Sequence, residues 1–249
     1  RQHLTSSGLA PGNAATFAKL TDRARRPTPF SRAIPVKVLE HVPPSAFTLD
    51  ENLLFATLST ARKGRAADLF GARLEHLRVL LDNETTWRKF VRMAESFCRA
   101  RAPQAVVEVT KLRRMTAFKK PDGRARGIVT GCALRRLISK AIAKQYAQRF
   151  SEATAPYQFA LQTRAGMDAV AHAIRALTES DPDLTVVSLD GVGAFDHVRR
   201  AAFLQALRDD PQLESLLPLV RSLYSTASTY AWTDDQGEVH DVRQGEGGE

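Results

Sequence analysis

Asp190 closes a short apolar run, Leu184-Thr-Val-Val-Ser-Leu189, and is followed by Gly191, Gly193 and a second acid, Asp196. A carboxylate at the carboxyl end of a β-branched strand suits phosphoryl or nucleotidyl transfer. Divalent metals neutralise phosphate oxygens, carboxylates hold the metals, and a rigid strand fixes the carboxylate beside an open loop. Gly191 and Gly193 let a ligand approach the backbone just after the acid. The same Asp could equally cap the turn or helix that follows, and position alone does not separate the two.

Named residues disfavour three other phosphate-handling patterns. A haloacid-dehalogenase-type phosphatase needs a second Asp two positions after the first, where Val192 stands. A G-x-G-x-x-G dinucleotide loop would need Gly where Asp196 lies, and no G-K-[ST] P-loop occurs. Cys98 and Cys132 belong to no C-x-x-C pair and have no histidine at zinc-finger spacing, so they read as buried thiols in a reducing compartment.

Charge points to a polyanion. The 249 residues carry a net +9. Between Lys111 and Phe150 there are twelve cations against one acid, Asp122, a local +11, so the remainder of the chain is slightly acidic. A solvated helix face would intersperse acids among its bases, and here they are missing. No apolar run approaches the roughly 18 residues of a membrane span. Hydrophobic content of 43% and charged content of 25% are those of a globular chain.

The elements that must position these groups follow from periodicity. Residues 1–47, rich in proline, read as a partly ordered lead-in with one helix around 14–24. Thr48-Leu-Asp-Glu51 has capping-box form and opens a helical region over 48–104, with helices near 66–81 and 85–100. Its candidate core includes Leu69, Leu74, Leu77, Leu80, Trp87, Phe90, Val91, Met93 and Phe97. Val106 to Val109, Met115 to Phe118 and Gly127 to Thr130 read as strands, the last two joined by the turn Pro121-Asp122-Gly123 into a hairpin with a basic tip. A helix over 133–150 turns Leu134, Leu137, Ile138 and Ile142 inward and Arg135, Arg136, Lys140 and Lys144 outward. Further helices are expected over 166–177, 199–207 and 213–224. Thr229 to Trp232 and Val239 to Val242 flank Asp234-Asp235-Gln236-Gly237 as a second hairpin.

Leu189-Asp-Gly-Val-Gly-Ala-Phe-Asp-His-Val198 resembles motif A of reverse transcriptases, especially those of non-LTR retrotransposons. Thr116 to Ile128 is similar to the fingers hairpin of that family, and Leu134 to Lys140 to its next segment. Pro156-Tyr-Gln-Phe159 with Arg164-Ala-Gly166 resembles the approach to motif A. The resemblance covers residues 105–249 and keeps the family's order. It implies an α+β fold: right-hand polymerase fingers over 105–180 and an incomplete palm over 181–249, behind a helical N-terminal extension.

It also implies roles. Asp190 would bind two catalytic Mg2+ (or Mn2+) ions, with the Gly191 carbonyl as a further ligand. Phe195 would be the steric gate that excludes a 2′-hydroxyl. The amides of Gly193 and Ala194 would face the triphosphate. Arg126, with Lys119 or Lys120, would grip it. Arg124, Arg135, Arg136 and Lys140 would contact template or primer phosphates. The expected partners are RNA template, DNA primer and dNTP, with no membrane and an open oligomeric state, in a nuclear or cytoplasmic setting. The chemistry implied is two-metal nucleotidyl transfer onto a primer 3′-hydroxyl.

The pattern also departs from the family. No Tyr/Phe-x-Asp-Asp hairpin follows motif A. Asp234-Asp235 comes too early and reads as a turn, and Gln244-Gly245 begins like motif B without its proline. Gly127 stands where the family usually has Pro. Arg1 reads as a cut in a longer chain, and the chain is expected to stop before the catalytic core is complete. Non-catalytic nucleic-acid binding by a retroelement remnant is the alternative. Group II intron-type and viral RNA-dependent polymerases are nearer ones, and Phe195 argues against the last.

Overall fold

The computed structural model describes residues 8–24, 33–160, 163–191 and 193–247. Pro27, Pro29, Val192 and the last two residues of the Gly-rich tail lie outside the described residues.

The chain starts with helices α1 (Ala14–Leu20), α2 (Val36–Leu39) and α3 (Glu51–Ser59), then a 3-10 segment Leu74–Leu81, α4 (Glu84–Cys98) and α5 (Gln104–Lys111). Strands β1 (Arg113–Lys119) and β2 (Ala125–Thr130) follow, then α6 (Ala133–Gln145), α7 (Ala147–Thr154), α8 (Gly166–Ser180), α9 (Ala194–His197), α10 (Arg200–Asp209) and α11 (Leu217–Tyr224). Strands β3 (Ser228–Thr233) and β4 (Val239–Gln244) come last. The architecture is mixed α/β, compatible with the α+β expectation.

The four strands form one sheet in the order β2-β1-β3-β4. Both hairpins are antiparallel, and β1 runs parallel to β3 with Arg113 opposite Tyr230. β3 reaches only as far as Met115 along β1. Beyond it the chain near Leu9 takes over: the Ala10 amide donates to Ala117 and the Lys119 amide to Gly8. Leu20, Met115, Ala117, Tyr230, Trp232 and Val242 form a small core on one sheet face, with α1's Phe17 packed against it.

The larger core joins helices distant in sequence. Leu54 and Leu58 of α3, Trp87, Phe90 and Phe97 of α4, Leu137 and Ile138 of α6, and Leu219 and Leu223 of α11 share it. In α4 the buried positions 87, 90, 91, 94, 97 and 98 recur at helical spacing, and Asn83 caps the helix by accepting from Thr86 N at 3.0 Å. Met93 falls off that stripe and is exposed, against expectation. Burial pushes the Cys98 thiol up to about 12, which keeps it protonated. Cys132 is only partly buried.

Several boundaries differ from the sequence reading. Asp50, not Thr48, caps α3, accepting from Leu53 N at 2.9 Å; Glu51 instead accepts from the Trp87 indole at 2.7 Å. Residues 104–111 are helix, not strand: Pro103 presets the entry, and only Val107 of the three valines is buried. The helix expected over 133–150 breaks at Tyr146 into α6 and α7. The helix expected over 66–81 is a turn followed by the 3-10 segment. The expected strand Leu184–Leu189 has no strand partner among the described residues and lies exposed, Val187 at 71% and Leu189 at 90%. Without a neighbouring edge to satisfy its backbone, apolar composition alone does not make a strand.

Candidate nucleotide and nucleic-acid site

The first hairpin forms where expected. Its turn closes through Gly123 N to Lys120 O at 3.0 Å and Lys120 N to Arg124 O at 2.8 Å, and Gly123 takes φ +75°, which a side chain would resist. Register decides which lysine shares a face with Arg126. Phe118 lies opposite Arg126 and Lys119 opposite Ala125. Facing residues share a side and neighbours alternate, so extending the pleat puts Lys120 on the side of Arg126 and Lys119 on the other. Arg124 is bound to Asp122 by an ion pair and a hydrogen bond, and that contact holds the exposed Asp122 carboxyl down to about 2. A cation absent from the sequence reading joins the tip: Lys19 of α1 donates to Gly123 O at 2.7 Å.

Arg135 departs from its expected role. It is 6% exposed and its guanidinium lies 5.2 Å from the Tyr224 ring centroid. Arg200, fully buried, stands 5.3 Å from the same ring, and Arg113, 1% exposed, 5.8 Å from Tyr230. Burial lowers the pKa of Arg135 and Arg200 from the ordinary arginine value. Three arginines and two tyrosines thus form a buried cationic-aromatic knot under the sheet. The signal was present in the sequence: Arg135, Ile138 and Ile142 follow the inward i, i+3, i+7 stripe, whereas Arg136, Lys140 and Lys144 follow the outward one. Arg136 is half-buried and donates to Ala66 O at 3.1 Å; Lys140 is exposed.

The Asp190 segment has another setting. Asp190 and Gly191 are exposed in irregular chain, and Gly193, at φ +65°, leads into α9, which holds Ala194 and Phe195. The Phe195 ring is 78% exposed, so it is not the core aromatic it could have been. The tail packs against this turn: Gly247 N donates to Val198 O at 2.8 Å, and a Cβ on Gly247 would lie 2.7 Å from Phe195 O. Arg200 ties the tail down. Its amide donates to Glu246 Oε2 at 2.7 Å, Nε to Gly247 O at 3.1 Å, Nη1 to Thr226 O at 2.7 Å and Nη2 to Ser228 Oγ at 2.9 Å. Sequence reasoning missed this clamp, because nothing in Gly245-Glu-Gly247 signals burial.

Among the described residues, Asp190 forms no ion pair or hydrogen bond with the hairpin cations and belongs to no cluster of three metal-ligating side chains. Asp234, Glu238 and His240 do form one, with ligand atoms within 4.8 Å of one another. Asp234 is occupied there as a turn residue, accepting from Gln236 N and Glu238 N at 2.9 Å and contacting His240 Nε2 at 2.8 Å. Asp235 exchanges hydrogen bonds with Gly12. Both acids serve the second hairpin and its docking on α1, in line with the turn reading.

No protein-family model matches the chain, and no curated protein matches it significantly. Among the described residues no helix is long and apolar enough to cross a membrane.

Proposed function

We propose that these residues are the fingers and the first metal-binding part of the palm of an RNA-directed DNA polymerase of the non-LTR type. The observation that carries the reading is an ordered series: a hairpin with a cationic tip, a helix with an outward cationic stripe, then an exposed carboxylate followed five residues later by an exposed phenyl ring. In this reading Asp190 and the Gly191 carbonyl hold Mg2+ or Mn2+. Lys120 and Arg126 meet the triphosphate from one face of the hairpin, Arg supplying a bidentate fork and Lys a point charge. Gly193 and Ala194 offer amides to the phosphates, and Phe195 packs under the sugar, where it leaves no room for a 2′-hydroxyl. Arg136 and Lys140 remain candidates for strand phosphates. Arg135, being buried, does not.

Two-metal transfer needs about three carboxylates, and among the described residues Asp190 stands apart from any such cluster. That isolation also favours a second reading, a nucleic-acid-binding remnant without catalysis. Two assays separate them. The 249-residue chain binds single-stranded RNA with steep salt dependence and does not extend a primer. The reading frame continued through a Tyr/Phe-x-Asp-Asp hairpin extends a primer on RNA, and Asp190→Ala abolishes extension while leaving RNA affinity within about twofold. Extension by Asp190→Ala at the parent rate overturns the metal assignment. A frame without such a hairpin leaves the remnant reading.

A further inference from the structure

We propose that the loop over residues 61–72 and the outer stripe of α6 form one cationic ledge that binds the phosphates of a single-stranded RNA, with Phe70 as a base-stacking platform. This extends the strand-contact surface of α6 onto the 61–72 loop and rests on the polymerase reading for the choice of RNA over other polyanions.

The ledge is held together by one buried acid. Asp68 is 3% exposed. Its Oδ1 accepts from Phe70 N at 3.0 Å and Ala72 N at 2.8 Å, which shapes the loop. Its Oδ2 accepts from Ala133 N at 2.9 Å, which fastens the loop to the first turn of α6. Arg136 adds the bond to Ala66 O. Arg62 and Arg65, 70 or more positions away in sequence, are thereby brought beside Lys140, which Lys144 also neighbours along α6. Positions 136, 140 and 144 recur every fourth residue, so the stripe climbs about 6 Å per cation and about 12 Å in all.

These charges are uncompensated. Several arginines elsewhere are paired: Arg88 with Glu84, Arg99 with Glu95, Arg124 with Asp122, Arg149 with Asp210. Among the described residues Arg62, Arg65, Lys140 and Lys144 have no ion pair, and all four are exposed. Glu75, the acid beside the loop, is committed to Gly64 N at 2.9 Å and to Arg73. The Lys140 ammonium lies below its ordinary pKa, first because nearby atoms displace its water, then because Arg65, Lys144 and Arg62 crowd it with like charge. A chain of phosphates neutralises that repulsion, and the counterions it sheds on binding add a favourable entropy. Phe70, at the tip of the Asp68 turn, is 60% exposed. An exposed ring in the same loop as two unpaired cations fits unpaired bases, each of which presents a π-face, better than a duplex.

The test is fluorescence anisotropy of the 249-residue chain with a labelled, unstructured 20-nucleotide RNA across a KCl series. R62A/R65A and K140A/K144A each weaken binding about tenfold and flatten the log–log salt slope by about 1.4, two cations at about 0.7 each. F70A weakens binding about fivefold or more without changing the slope. Unchanged melting temperatures show that the variants fold. If both ledge pairs bind like the parent while K120A/R126A loses affinity, the ledge falls and the nucleic-acid reading stands. If the parent chain binds no RNA at 50 mM KCl, both fall. Tighter, ledge-dependent binding to phosphatidylserine vesicles than to RNA overturns the choice of partner.

Discussion

Strand β3 and the segment 184–189 start from similar material. Ser228-Thr-Tyr-Ala-Trp-Thr233 and Leu184-Thr-Val-Val-Ser-Leu189 are both short, rich in β-branched or aromatic residues and bounded by acids or turns. In β3, Tyr230 is 1% and Trp232 4% exposed, because β1 and β4 flank the strand and α1 covers its face. The other segment has no flanking strand among the described residues, and its Val186, Val187 and Leu189 face solvent. Apolar composition states a demand for burial; an adjacent edge with matching register meets it. The segment before it repeats the lesson, since Met167, Ile174 and Leu177 of α8 are exposed as well. The carboxylate with the strongest chemical argument thus sits in the least supported stretch, and the cations expected to serve it sit in the best supported one.

Substitutions break this comparison in order of size. Trp232→Ala should cost about 3–5 kcal/mol in urea unfolding, whereas Leu189→Ala should stay within about 0.5 kcal/mol. Equal effects would show that 184–189 is packed in solution. Arg200→Ala should cost about 3–5 kcal/mol, because it leaves the Gly247 and Thr226 carbonyls without their buried donor and the buried Glu246 without its neighbouring positive charge; a loss under about 1 kcal/mol would remove the tail clamp from the account. Gly247→Ala, at φ +94° with Phe195 O and Asp196 O in the way of a Cβ, should cost about 1–3 kcal/mol and speed amide exchange at Gly247, its own donor to Val198. Exchange without any substitution sharpens the contrast: amides of 229–232 should be protected and those of 185–190 should exchange close to the free-chain rate. The smallest effect is a titration. Asp122 is held near 2 by Arg124, so the pairing is complete above the ordinary value of 3.8 and is lost as pH falls toward about 2. Carboxyl chemical shifts read that midpoint, and Arg124→Ala should return it toward 3.8; a midpoint already near 3.8 in the parent would break the ion pair.

Local periodicity was legible wherever local physics decides. The α4 stripe, the Pro121-Asp122-Gly123 turn, both hairpins and the helices around 166–180 and 200–209 follow from side-chain spacing and turn chemistry that act within a few residues. The resemblance of Asp190 to Phe195 was equally a matter of consecutive residues. What the sequence hid was contact between distant parts. Val106 and Val109 carry strand propensity, and only Pro103 with the single burial of Val107 turns their segment into helix. Arg135 lies on the stripe of Ile138 and Ile142, but the ring that receives its guanidinium, Tyr224, lies nearly 90 positions later.

The chain by itself determined its cationic concentration, its hairpins and most of its helices, since charge and spacing are properties of neighbours. Only tertiary structure decided which lysine faces Arg126, which arginines are withdrawn from solvent, that Asp68 brings Arg62 and Arg65 beside Lys140, and that 184–189 has no strand partner among the described residues. Each depends on a partner far along the chain, and a hydrogen bond or a buried ring has meaning only once both ends are in place.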